Sequence, residues 1–418
     1  MSGLLVENND RGIFNIEIFI KCGSIYENKN ENGLSHLLEH MMFKSKNDKD
    51  VEQILLELNS LGGIFNATTS KDYTCFYIQT IENNWKKSVN ILSKIVFDPV
   101  FKSNELENEK KVVIEEFLQV QDDTQKDIFE KAYKLFLHHK NPYRKSVKGS
   151  LKNIKNTTPH LLKQFYLKHY STCLVYANCS PNISEKVTSY LKNTFRHRLN
   201  TLIPTSFHTD ELVNITLLPV IKLIKSNSAQ NSTIIMFKGF PYKSKNNIVL
   251  ELVWDLLAGS LNSLLMMEMR EKRGLVYGVT AFNDTFAHLG ITGLYFTSST
   301  TDIKSAILYI LKILKKIKNK GISKNILTYS KASFINKLQY RSTDLNYAIQ
   351  RNMMCHYYGC EWNEKKVISK LRKITNTDII EVCKSVFNFN KMCIVSMGHY
   401  KSPDTLEKKI RKIIIDLD

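Results

Sequence analysis

His36-Leu37-Leu38-Glu39-His40 is the stretch on which the reading of this chain turns. On a helix of 3.6 residues per turn, positions i and i+4 are neighbours and i+3 lies beside them. The two imidazoles and the Glu39 carboxylate therefore share one face. Two histidines so spaced can hold one zinc ion, and the carboxylate between them can reach a water there. The order is H-x-x-E-H, the reverse of the commoner H-E-x-x-H. Three fixed positions in five also arise by chance on amphipathic helices, so the motif needs a third ligand.

Outward from the motif, the chain reads as one plan used twice. An alternating strand over Ile13 to Lys21 leads into the motif helix. A second helix, Val51 to Leu61, stops at Gly62-Gly63. A hairpin follows, Ile64 to Thr69 and Tyr73 to Thr80, around the polar turn Ser70 to Asp72. Helices are expected over Asn84 to Val96 and Asn104 to Gln121, and a closing strand over Leu174 to Ala177.

The second half repeats this order. It has a strand over Ser232 to Lys238, a long helix from Asn246 to Lys272 ended by Gly274, and a hairpin of Leu275 to Ala281 and Gly290 to Thr297. Helices over Asp302 to Ile317 and Ser323 to Leu338 and a strand over Met392 to Met397 complete it. The fold class predicted is α+β, with two similar halves, each a mainly antiparallel sheet covered by helices. The expected domains are residues 1–205 and 221–418. Residues 206–220, which include Pro219 and follow Pro204, lack helical periodicity and read as the linker.

Bulk composition sets limits. With 418 residues, 43% of them hydrophobic, the chain can bury a sizeable core. No apolar run approaches the roughly 18 residues a membrane span needs, so none is expected. The N-terminal MSGLLVENNDRG has neither signal nor transit-peptide character, so a cytoplasmic location is expected, with the mitochondrial matrix open to a processed chain. None of the eight cysteines forms C-x-x-C, which removes the sequence case for a thiolate metal site. The net charge of +19 raises the question of an acidic partner. Lys315, Lys316, Lys318 and Lys320, however, follow the solvated face of a helix, and no basic strip is interleaved with aromatics. Nucleic acid is therefore not the partner expected.

A third ligand can come from the helix Asn104 to Gln121. Glu109 and Glu116 are two turns apart and share a face. Glu115 points about 100° away from Glu116, so the two cannot face the same metal. On these residues alone the helix is only a charged one.

The run Gly33-Leu34-Ser35-His36-Leu37-Leu38-Glu39-His40-Met41-Met42-Phe43-Lys44 strongly resembles the zinc motif of the pitrilysin, insulysin and mitochondrial processing peptidase family. In that family the third ligand is a glutamate about 76 residues after the second histidine, within an E-x6-E pair; here the pair is Glu109 and Glu116. Gly63-Ile64-Phe65-Asn66-Ala67-Thr68 looks like the family's substrate-pairing edge strand. Met269-Arg270-Glu271-Lys272-Arg273-Gly274-Leu275-Val276-Tyr277 resembles its R-x6-Y element. At 418 residues the chain is similar to the short members.

The resemblance implies a zinc endopeptidase. His36, His40 and Glu116 would hold one Zn²⁺ per chain, Glu39 would be the general base, and Glu109 would support a ligand. Phe65, Asn66, Ala67 and Thr68 would receive a peptide as an added strand. Tyr277 would stabilise the oxyanion, and Arg270 would hold substrate or position Tyr277. It also implies one half of a clamshell chamber, completed as a homodimer or as a heterodimer with a related subunit. The basic charge does not favour processing of basic presequences, for which a chamber should be acidic. The glycine-rich loop of the non-catalytic processing subunit has no counterpart. The alternative is a non-catalytic assembly subunit; degenerate members of that kind usually lack a ligand or the base, and this chain has all four residues.

Overall fold

Alternation in β2 (Ile13–Ile20) organises the first half. Phe14, Ile16, Ile18 and Ile20 point to one face and are fully buried in the core beneath the helices. β2 lies in the middle of a five-stranded sheet with β1 (Leu4–Asn8), β3 (Ile64–Thr69), β4 (Thr74–Ile81) and β5 (Leu174–Cys179), in the order β1-β5-β2-β4-β3. β1 runs parallel to β5, and the remaining pairs are antiparallel. The computed structural model describes residues 3–46, 49–199, 220–228 and 230–417.

The motif helix α1 (Leu34–Met42) sinks Leu34, Leu37, Leu38, Met41 and Met42 into this core. Truncating one such side chain to alanine costs about 2–5 kcal/mol, so the helix is held firmly. The sequence of the first half also forms α2 (Val51–Asn59), α3 (Trp85–Phe97), α4 (Ser103–Asp122), α5 (Thr124–Phe136), α6 (Leu151–Asn156), α7 (Pro159–His169) and α8 (Ser184–Phe195).

The second sheet repeats the first strand for strand. β6 (Val220–Lys225), β7 (Asn231–Gly239), β8 (Val279–Thr285), β9 (Gly290–Ser298) and β10 (Cys393–Gly398) take the order β6-β10-β7-β9-β8. β6 is parallel to β10, as β1 is to β5. The α+β architecture of two similar halves is therefore present. No described helix is long and apolar enough to cross a membrane.

Three features differ from the sequence reading. β1 and β6 were not anticipated as strands, because each is short and pairs with a strand far along the chain, as Leu4 does with Val175. The helix expected over Asn246 to Lys272 is broken. α9 (Asn247–Ala258) ends where the Gly259 N–H bonds to the Asp255 carbonyl at 2.8 Å, and a π-helical turn follows at Met266–Glu271. Ser260, Asn262 and Ser263, which compete with the helix for backbone bonds, fill the gap. The strand expected from Leu275 starts instead at Val279. Gly274 has φ 61°, and the Leu275 N–H closes the helical exit on the Met269 carbonyl at 2.8 Å.

The contacts divide the chain into two compact units. The first takes the described parts of Met1–Gln119, Lys145–Phe207 and Ile349–Glu361; the second takes those of Val120–Arg144, His208–Ala348 and Trp362–Asp418. Thus Phe129 of α5 packs on Phe282 of β8 at 5.0 Å, within the second unit. Tyr357 packs on Phe19 of β2 at 5.5 Å, within the first. The expected linker 206–220 lies outside the described residues apart from Val220, which opens β6.

Candidate metal centre

Buried charges fasten both ends of α1. Gly33, at φ 106°, precedes the helix and offers no side-chain cap. The Glu27 carboxylate does that work instead, accepting the N–H of Gly33 at 2.9 Å and of Ser35 at 2.8 Å. At the far end the Lys46 ammonium donates to the Met42 carbonyl at 2.7 Å and the Ile95 carbonyl at 3.2 Å. An anion at the N-terminus and a cation at the C-terminus satisfy the open backbone groups and match the helix dipole. Sequence reasoning missed both residues. Glu27 stands outside any standard capping pattern, and only its contacts reveal it.

The His36 and His40 rings stack edge-on with centroids 4.8 Å apart. Glu116, from α4, reaches both. Its Oε2 is 3.6 Å from His36 Nε2, and its Oε1 is 3.6 Å from His40 Nε2. One ligand atom from each residue lies within 4.8 Å of the others. Glu115, its neighbour, is exposed.

Protonation favours ligation. His40 Nδ1 lies 3.1 Å from Glu109 Oε2, so Nδ1–H donates there and the Nε2 lone pair is left for an ion. Lys44 pairs with the other Glu109 oxygen at 2.6 Å. Burial alone would raise the Glu109 carboxyl, but hydrogen bonds from His40 and Lys44 outweigh it and hold it below its ordinary value. Burial, then the charges of Lys148 and His40, push His36 down to about 3. His36 is thus a neutral imidazole. Lys148 Nζ lies 3.0 Å from His36 Nε2 and also donates to Glu116 Oε2. An ammonium only donates, so Nε2 of His36 is an acceptor with its lone pair in place. The two imidazole Nε2 atoms and the Glu116 carboxylate form a donor set that fits zinc with one position left for water.

Glu39 is bonded by the hydroxyl of Thr69, the last residue of β3. Burial lifts the Glu39 carboxyl above its ordinary value, with the Thr69 hydrogen bond and the His40 charge opposing. Among the described residues β3 is an edge strand whose one neighbour is β4. Phe65 and Ala67 are half-buried, Asn66 and Thr68 are exposed, and Asn66 Oδ1 accepts the Ala67 N–H at 2.9 Å. Thr69 therefore ties the edge strand to Glu39, a role that the sequence did not single out. Arg270 and Tyr277 belong to the second unit, where the Arg270 guanidinium lies over the Tyr277 ring at 5.2 Å and Tyr277 is 77% exposed.

Comparison with known proteins gives a consistent result. The family model described as Insulinase (Peptidase family M16) matches residues 4–148, and that described as Peptidase M16 inactive domain matches residues 157–334. The chain is 28% identical over 391 residues to an "Uncharacterized zinc protease" of Rickettsia felis, covering 89% of each chain. It is 26% identical over 404 residues to the mitochondrial-processing peptidase subunit beta of Saccharomyces cerevisiae, covering 92% of this chain and 86% of that one. Its fold is similar to the crystal structure of a protease from Helicobacter pylori, with TM-score 0.82, 19% identity, and 95% and 97% of the two chains covered. A peptidase M16 inactive domain from Pseudomonas fluorescens is similar in fold at TM-score 0.82 and 18% identity, covering 96% of each chain.

Proposed function

The chain belongs to the insulinase family, peptidase family M16, and on that premise we propose that it is a zinc-dependent endopeptidase of unfolded peptides or precursor segments. The observation that carries this reading is the convergence of His36, His40 and Glu116 with Glu39 on the same helix face. Zinc held by those three residues supplies Lewis acidity and lets water be activated near neutral pH.

The chain's own groups do the rest. Glu39, oriented by Thr69, takes a proton from the attacking water and returns it to the leaving amine. Glu109 keeps the His40 ring in its ligating tautomer. A peptide adds to the β3 edge along Phe65, Asn66, Ala67 and Thr68 by main-chain hydrogen bonds, displacing the Asn66 side chain from the Ala67 N–H. A substrate bound this way must be extended. By resemblance, Tyr277 would stabilise the oxyanion, and Arg270 would hold substrate or position Tyr277.

A second reading, a non-catalytic assembly subunit, draws on the description of the model that matches residues 157–334. Against it, His36, Glu39, His40 and Glu116 are all present. The yeast relative is named as a subunit, and we extend the proposal to a working dimer with a second copy or a related subunit. The test is incubation with a mixed library of unstructured peptides, followed by chelation and zinc re-addition. Cleavage lost and regained supports the endopeptidase; a zinc-loaded chain that cuts nothing supports the subunit.

A further inference from the structure

Lys148 is the one cation placed directly on the proposed ligand atoms among the described residues. Its ammonium lies 3.0 Å from His36 Nε2 and bonds Glu116 Oε2. An ion held by the three ligands would need the His36 Nε2 lone pair and the Glu116 carboxylate that the ammonium engages. Nε2 of an imidazole has one lone pair, so the ammonium and a metal ion are mutually exclusive partners of His36.

The backbone keeps Lys148 there. The next residue, Gly149, has φ +78° and packs against Gly33 at the start of α1; a Cβ on Gly149 would come within 2.3 Å of the Gly33 Cα. The Ser150 N–H bonds the Asn32 carbonyl at 3.3 Å. These contacts fix the Lys148 main chain beside the motif helix and leave only its four-carbon stem to move. Its side chain is 28% exposed, so the ammonium has water to swing into.

We propose that Lys148 is a built-in competitor for the metal ion, an inference that rests on the reading of His36, His40 and Glu116 as ligands. Its ammonium holds His36 and Glu116 together when no ion is bound, and it must leave when one binds. A site engaged by its own lysine for most of the time binds an external ion more weakly, in proportion to the fraction left free.

The experiment compares zinc dissociation constants, by chelator competition, for wild type, Lys148→Met, Lys148→Gln and His36→Ala. It adds the thermal midpoint of each protein in excess chelator. Expected are zinc binding tighter by about tenfold or more in both Lys148 variants, abolished binding in His36→Ala, and a lower midpoint in chelator for Lys148→Met than for wild type. Two variants guard against a misfolded one. Equal zinc affinity in wild type and both Lys148 variants, with His36→Ala still silent, would overturn the competitor and leave the metal site standing. Zinc binding by none of the four would remove both.

Discussion

The Glu109 carboxylate receives the Nδ1 proton of His40 at 3.1 Å and the Lys44 ammonium at 2.6 Å. It is a buried acid whose two oxygens do different work, one fixing an imidazole and the other held by a lysine. Removing it leaves the His40 ring free to rotate and to change tautomer. Glu109→Leu is therefore expected to weaken zinc binding by about 10–100-fold, read by chelator competition. Glu109→Gln, which can still accept from Nδ1, should lose less. Unchanged affinity in Glu109→Leu would remove this role.

Thr69 acts through Glu39. Thr69→Val keeps the shape of the strand and deletes the hydroxyl donated to the Glu39 carboxylate. The expected outcome is unchanged zinc content and a kcat lower by about tenfold, with KM for an unstructured peptide little changed, since roughly 1.4 kcal/mol of positioning is lost. A rise in KM alone would place Thr69 in substrate binding instead.

Glu27 holds the first turn of the motif helix. Glu27→Ala strands the buried N–H groups of Gly33 and Ser35. A loss of about 3 kcal/mol in unfolding free energy is expected, from two unsatisfied donors at roughly 1–3 kcal/mol each. Urea unfolding measures it. A variant as stable as wild type would show that water replaces the carboxylate at little cost.

Glu17 gives the pH dependence. It lies on the face of β2 opposite the hydrophobic core, near Asn15 and Cys75, and burial raises its carboxyl from 4.5 to about 7, with those two hydrogen bonds opposing. Between pH 4.5 and about 7 the unfolded chain gives up this proton while the folded chain keeps it. The contribution of Glu17 to stability is thus full below pH 4.5, falls as pH rises through that window, and is gone above it. The loss is on the order of 3 kcal/mol. Glu17→Gln should gain stability over wild type between pH 5 and pH 8; an unchanged difference would contradict the burial cause.

The parts legible in the sequence were those built by local periodicity. β2, the β3–β4 hairpin and α1 follow from alternation, turn residues and the i, i+4 spacing. β1 and β6 have no such signal, since their register is set by partners that only the folded chain brings near. Within the candidate centre, the proximity of His36 to His40 is a property of one helix. The approach of Glu116 is a property of how α4 meets α1, and only family resemblance pointed to it. Thr69, Glu27 and Lys148 act through contacts between distant segments, which no pattern along the chain encodes. The assignment of residues 349–361 to the first unit is of the same kind, because it depends on packing such as Tyr357 on Phe19.

The central claim is that His36, His40 and Glu116 hold zinc while Glu39 moves the proton. The most direct measurement pairs zinc content per chain with cleavage of unstructured peptides for wild type, Glu39→Gln and Glu116→Ala. Expected are one zinc and cleavage in wild type, one zinc and a rate lower by about 10²–10⁴-fold in Glu39→Gln, and neither zinc nor cleavage in Glu116→Ala. Full zinc content in Glu116→Ala, or undiminished cleavage by Glu39→Gln, would contradict it.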